Sequence, residues 1–150
     1  MEFLNIINVK YLKKRTDITV FVDKKYLTTH NFRDFSETIL ARLPGIKLHH
    51  CKNNLNIPVE EELKNTETAH ALEHILIEVI FQADPNAERL AGVTAWNWHR
   101  QPTGTYLVSL RYTNRDFLEP ALEESLNILN NSIQEYPALD VAPAFSLLNN

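Results

Sequence analysis

The chain has 150 residues, 44% of them hydrophobic and 23% charged, which is the balance of a globular domain of ordinary size. Its formal net charge of −4 gives no electrostatic reason to bind the phosphates of a nucleic acid. A single cysteine, Cys51, and the lack of an apolar run near the ~18 residues that span a bilayer argue against an internal disulfide and a membrane segment, so we expect one cytoplasmic domain over residues 1–150.

The sequence of the first half of the chain predicts three strands and one helix. The expected elements are strands at 2–12, 17–23 and 46–50, a helix at 32–43 and a loop at 51–63. Apolar residues alternate in the second strand, as in a strand with one buried face. Asn31 would cap the helix, and Pro44 followed by Gly45 would end it, because neither residue continues a helix well.

The second half predicts a helix, a β-hairpin and a further long helix. Asn65 or Thr66 would cap a helix that runs to about residue 82. The later elements are strands at 93–100 and 105–113, joined by a QPTG turn, a helix at 116–134, and a tail at 137–150 that packs loosely on the body or on a partner. Trp96 and Trp98 would share one face of the first hairpin strand. Strands and helices without strict alternation predict an α+β fold, with one mixed or antiparallel sheet and helices on one face.

The helix near residue 70, TAHALEHILIEV, separates apolar from polar side chains. At ~100° per residue, one side of the helix is apolar and would face the sheet. That side carries Leu72, Ile75, Leu76 and Val79. The opposite side carries Glu67, His70, His74 and Glu78, with Glu73 at its flank beside His70. The sequence therefore places imidazoles and carboxylates together on one side of a helix.

This spacing suits a metal centre. Residues His70 and His74 stand one turn apart, ~5–6 Å at Cβ, so that both rings can reach one divalent ion such as Zn²⁺. Glu73 precedes the second histidine in the pattern HxxEH, where a carboxylate can take a proton from water. The plain alternative is an exposed helix face that carries ordinary polar residues. The third ligand stays open among several side chains: Glu78, His49, His50, Glu123 and Glu124.

Four segments in order resemble the N-terminal domain of cyanophycin synthetase. They are LPGIKLHHC (43–51), TETAHALEHILIEV (66–79), GVTAWNW (92–98) and GTYLVSLRY (104–112), followed by a closing helix. The resemblance covers roughly residues 35–130. It implies a domain that handles cyanophycin, a poly-aspartate polymer with arginine side chains. The ATP-grasp and Mur-ligase-like domains that polymerise it do not fit in this chain.

In some members of that family the domain also looks like a metallopeptidase that trims the polymer, and the resemblance implies the same activity for this chain. His70 and His74 are then zinc ligands, Glu73 is the general base, and Glu78 is a ligand or orients a histidine. Substrate contacts would come from His49, His50 and Arg100, whose plain alternative is exposure in loops. Trp96 and Trp98 stand where the family pattern predicts a basic residue, which leaves a different peptide substrate open.

The sequence is compatible with two functions. The first is a zinc-dependent peptidase that acts on a peptide or an Arg/Asp polymer. The second is a non-catalytic module that binds the polymer or docks onto a separate ligase or synthetase. The oligomeric state does not follow from the sequence.

Overall fold

A computed structural model describes residues 3–50, 56–88 and 90–134 of the chain. Within these ranges four strands form one antiparallel sheet with helices packed against it, which confirms the α+β class. The strands are β1 (Leu4–Tyr11), β2 (Thr16–Val22), β3 (Gly92–Ala95) and β4 (Thr105–Leu110). The helices are α1 (Phe35–Arg42), α2 (Val59–Glu62), α3 (Thr68–Ala83) and α4 (Arg115–Gln134). Three 3-10 turns cover Lys24–Tyr26, Thr29–Asn31 and Pro44–Leu48.

The sheet has the strand order β1-β2-β4-β3, so β2 and β4 are its central strands. Ile18 pairs with Val108 and Val20 pairs with Tyr106 across them, and all four side chains are buried. Because successive side chains of a strand point to opposite faces, the alternation in the sequence of β2 turns one face of it to the core. That alternation predicted this strand within one residue at each end.

Helix α3 lies between the sheet and α4 and is buried on nearly every side. Its predicted apolar side is in the core, with Leu72, Ile75 and Leu76 at most 1% exposed. Helix α4 packs on α3, and leucines of its predicted stripe, such as Leu118 and Leu129, are buried. None of the helices in the described ranges is both long and apolar enough to cross a membrane.

Two predictions before residue 51 are wrong. The strand expected at 46–50 is instead the 3-10 turn Pro44–Leu48, in which the N–H of His49 donates to the carbonyl of Ile46 at 2.9 Å. Proline fixes a φ that suits a helical turn, and this local bias exceeds the strand preference of a short apolar run. The helix expected from residue 32 begins only at Phe35, because Asp34 has a left-handed φ of 55°.

The expected loop at 51–63 contains the short helix α2, and Cys51 and the tail 137–150 lie outside the described residues. The strand expected at 93–100 ends at Ala95, so Trp96 and Trp98 are not strand residues. Instead, Trp98 donates from its indole nitrogen to the carbonyl of Thr105 at 2.9 Å, and both rings pack on Tyr106. The indoles therefore close the β3–β4 connection.

Leu76 tests how strongly the core depends on α3. The Leu76→Ala substitution should lower the free energy of unfolding by about 2–5 kcal/mol, because it leaves a cavity in a site that is 0% exposed. Urea unfolding of the purified protein measures this change. The control is Ile7→Thr at a side chain that is 61% exposed, which should change stability by only about 0.5 kcal/mol. Equal losses from the two variants would contradict the placement of α3 in the core.

Candidate metal centre

Helix α3 brings His70, Glu73 and His74 together. One ligand atom from each of the three side chains lies within 4.8 Å of the others. The rings of the two histidines are one helical turn apart, with 4.8 Å between their centroids. The helical spacing read from the sequence therefore produces the predicted cluster.

The cluster is not on an exposed surface. Glu73 is 4% and His74 is 3% exposed, so the alternative of an exposed polar helix face is wrong for these two residues. Buried ionisable groups are costly unless they are paired or bind a cation. The partners of each side chain therefore decide what this site can do.

Glu73 is held by strand β3. The hydroxyl of Thr94 donates to its Oε1 atom at 2.7 Å. A Cβ atom at Gly92 would lie 2.8 Å from Glu73 Cδ, so only glycine leaves room for the carboxylate where it stands. Burial raises the pKa of the Glu73 carboxyl, while the hydrogen bond from Thr94 and the charge of His70 oppose that rise. The carboxyl is thus shifted toward a base that works closer to neutral pH.

Thr94 supplies a test of this arrangement. The Thr94→Val substitution removes a hydrogen bond that lowers the pKa of Glu73, so that pKa should rise further. A folded-state pKa above its ordinary value of 4.5 means that stability falls as pH rises through the folded pKa. We therefore expect a loss of about 1–3 kcal/mol at neutral pH and a smaller loss in acid. Urea unfolding in chelator at both pH values measures it.

The matched control is Thr113→Val, at an exposed position. It should leave stability and its pH dependence as in the wild type. A Thr94→Val protein whose loss is the same in acid as at neutral pH would contradict the charge-linked role of Thr94.

His74 has one partner and one unpaired nitrogen. Its Nδ1 lies 3.0 Å from Nδ1 of His49, and its buried Nε2 has no hydrogen-bond partner among the described residues. Burial, and after it the nearby His70 and His49, lower the pKa of His74 to about 3. His74 is therefore a neutral imidazole, the form that binds metals. An unpaired buried nitrogen beside His70 and Glu73 fits a bound cation.

His70 is oriented by residues that precede α3 in the sequence. The hydroxyl of Thr66 lies 2.9 Å from His70 Nδ1 and donates to Glu67 Oε2 at 3.3 Å. The hydroxyl hydrogen thus goes to Glu67, and its oxygen accepts from His70 Nδ1–H. Glu62 Oε1 lies 3.7 Å from the same nitrogen. In a neutral His70, this arrangement leaves the lone pair on Nε2.

The cluster lies in a cavity of about 910 Å³. The described side chains that line it include three carboxylates, at Glu62, Glu67 and Glu73, and no lysine or arginine. Large exposed apolar side chains also line it: Leu48, Phe81, Val93 and Trp96. Exposed apolar groups gathered at one place mark a binding surface. The described lining of the cavity is therefore acidic near the histidines and apolar at its rim.

The other predicted site residues are divided. His49 and His50 line the cavity, whereas Arg100 is exposed in the β3–β4 connection and is not among the described lining residues. The Glu78 carboxylate is outside the group of three and contacts His49 Nε2 through Oε2 at 3.3 Å. Of the other open candidates for a ligand, Glu123 and Glu124 are exposed on α4, and Glu124 pairs with Arg42 at 3.2 Å.

Sequence reasoning missed four residues that shape the site: Thr66, Thr94, Gly92 and Gly45. Thr66 had a local signal, because it stands one helical turn before His70. Thr94 and Gly92 had none, since they reach Glu73 only through the packing of β3 on α3. Gly45 likewise meets Glu78 through the packing of the 3-10 turn on α3.

Comparison with known families supports the resemblance noted in the sequence. Residues 17–134 match the family model described as the cyanophycin synthase-like N-terminal domain. The match spans β2 to α4 and includes His70, Glu73 and His74. No curated protein matches the chain significantly.

Proposed function

Because the chain belongs to the cyanophycin synthase-like N-terminal domain family, we propose that it is a zinc-dependent peptidase-like domain that cleaves cyanophycin or a related charged polypeptide. The observation that carries this proposal is the unpaired Nε2 of His74, buried beside His70 and Glu73. Burying a ring nitrogen without a partner costs free energy, and a bound cation would supply the missing partner.

In this proposal His70 and His74 hold the cation. When bound, zinc supplies a Lewis acid that polarises an amide carbonyl and acidifies water. Their Nδ1 atoms are occupied by Thr66 and His49, which orients both rings. The assignment of Glu78 as a further ligand stays a prediction.

Glu73 is the proposed general base. It accepts a proton from the attacking water and returns it to the leaving nitrogen of the amide. Thr94 holds one of its two oxygens, which limits how the carboxylate can turn. Burial raises the pKa of the Glu73 carboxyl toward neutral pH. A group whose pKa is closer to the operating pH is better suited both to accept a proton and to release it.

The charge of the cavity favours a cationic side chain in the substrate. Glu62 and Glu67 line the cavity with Glu73, and the described lining offers no cation to a substrate carboxylate. A guanidinium group can form two hydrogen bonds with one carboxylate, so the arginine side chains of an Arg/Asp polymer suit this lining. His50 would contact the backbone of the substrate, whereas both ring nitrogens of His49 already contact protein side chains. Arg100 stays a prediction for the part of the substrate that leaves the cavity.

The test uses the full chain purified without added metal. Elemental analysis should find about one zinc ion per chain after incubation with zinc. Cyanophycin incubated with that protein should be cut in zinc and stay intact in chelator. Polymer that binds equally in chelator, with no cleavage in zinc, would contradict the peptidase and support the binding module instead.

A further inference from the structure

Two polar contacts link Glu78 through His49 to His74. The Nε2 atom of His49 lies 3.3 Å from Oε2 of Glu78, and its Nδ1 atom lies 3.0 Å from Nδ1 of His74. The side chains of His49 and Glu78 are 9% and 12% exposed, and His74 is almost fully buried. Because water has little access to these contacts, each ring nitrogen must find its hydrogen-bond partner within the protein.

The contacts determine where the hydrogens are. A carboxylate oxygen only accepts, so His49 Nε2 carries the hydrogen that faces Glu78. Two ring nitrogens at 3.0 Å cannot both carry hydrogens, so either His49 Nδ1 or His74 Nδ1 is bare. If His74 Nδ1 were the bare atom, the hydrogen of a neutral His74 would lie on its Nε2, for which the described residues provide no acceptor. His49 Nδ1 is therefore the bare atom, and His74 Nδ1 donates to it.

This assignment decides the state of the unpaired atom. A neutral imidazole carries one hydrogen, so a hydrogen on His74 Nδ1 leaves a lone pair on Nε2. With the opposite tautomer, Nε2 would be a buried N–H group, for which the described residues provide no acceptor. Metal ligation requires the first tautomer, and the partner of the other ring nitrogen is what selects it.

We propose that Glu78 and His49 are positioning residues that hold His74 in the tautomer with a bare Nε2, ready for the cation. The inference rests on the proposed function, since it assigns a role around the same metal centre. The role proposed for Glu78 is therefore different from metal ligation. Its carboxylate keeps the hydrogen of His49 on Nε2, and the bare Nδ1 of His49 keeps the hydrogen of His74 on Nδ1.

Gly45 makes room for the Glu78 carboxylate. A Cβ atom at residue 45 would lie 2.1 Å from Glu78 Oε1, closer than any two such atoms approach. The obstacle is the end of a flexible side chain, so Gly45→Ala should displace the carboxylate and leave the fold intact. This variant disturbs the proposed pair without removing a titratable group.

The first experiment reads the tautomer directly in the metal-free protein. Nitrogen-15 NMR with two-bond proton correlations distinguishes a bare ring nitrogen from a protonated one. The wild type should show His74 with hydrogen on Nδ1 and a bare Nε2, and Glu78→Leu and Gly45→Ala should each give a mixture of tautomers. The proposal would be overturned if the wild type carried the hydrogen of His74 on Nε2, or if both variants kept the tautomer of the wild type.

The second experiment measures zinc affinity by competition with a chromophoric chelator. Glu78→Leu and Gly45→Ala should weaken the affinity by roughly 10- to 100-fold. Glu78→Gln should restore much of it, because an amide oxygen still accepts from His49, and Glu124→Gln on exposed α4 should match the wild type. If Glu78→Leu loses zinc while its metal-free tautomer is unchanged, Glu78 is a ligand and the positioning role is wrong.

The two proposals fail in different ways. A protein that shows the expected tautomer and binds zinc but cleaves no polymer would remove the peptidase function and leave the positioning role intact. A protein that cleaves polymer with the wrong tautomer on His74 would do the reverse.

Discussion

Replacing Glu73 with glutamine should reduce polymer cleavage by roughly 10²- to 10⁴-fold, the contribution typical of a general base. Glutamine has nearly the same shape and can still accept the hydrogen bond from Thr94, so the helix should keep its packing. It cannot take a proton from water, and this is the only property that the substitution is meant to remove. Initial rates of polymer cleavage in saturating zinc measure the effect.

Zinc content separates a lost base from a lost metal. Glu73→Gln should bind zinc with an affinity within roughly tenfold of the wild type, since both histidines remain. The control is Glu123→Gln on the exposed face of α4, which should cleave as fast as the wild type. Equal turnover by wild type and Glu73→Gln would remove Glu73 from the mechanism.

Replacing His74 with alanine should abolish the stabilisation of the protein by zinc. A ligand that binds only the folded state at roughly 100 times its Kd adds about 2.7 kcal/mol to the free energy of unfolding. The wild type should gain this increment when zinc is added. His74→Ala should not, because one of the two imidazoles that hold the cation is gone. Thermal unfolding with and without zinc, at matched ionic strength, measures the difference.

A second histidine provides the control for that experiment. His30 is exposed and outside the described lining of the cavity, so His30→Ala should keep the full response to zinc. If His74→Ala keeps the response as well, zinc binds elsewhere on the chain and the proposed centre is wrong.

The parts of the fold that were predictable are those in which local pattern and tertiary packing agree. Strand β2 and helices α3 and α4 bury the side chains that their periodicity selects, so their predicted ends differ from the structure by a few residues at most. The segment 46–50 fails because a proline at its start favours a turn over a strand. The strand predicted at 93–100 is wrong after Ala95, because the indole of Trp98 donates a hydrogen bond to the carbonyl of Thr105 across the connection.

The candidate site was predictable only along α3. Helical spacing brings His70, Glu73 and His74 together whatever surrounds them. Their burial was not predictable, because it depends on the segment before residue 50 and on β3, both distant in the sequence. The same holds for the contact of His49 with His74, which joins residues 25 positions apart. Periodicity describes one element at a time and carries no information about which other element covers it.

The space at Gly92 and Gly45 has a consequence for sequence variation. The chain has three glycines, and these two each stand against a carboxylate of the site, Glu73 and Glu78. In a relative that keeps both acids in place, these two positions should admit no side chain. A relative that has lost one of the acids should be free to acquire alanine or a larger residue opposite the vacated position. Family members in which a glycine and its facing acid have both been replaced would thus be those that have lost the proposed activity and kept the fold.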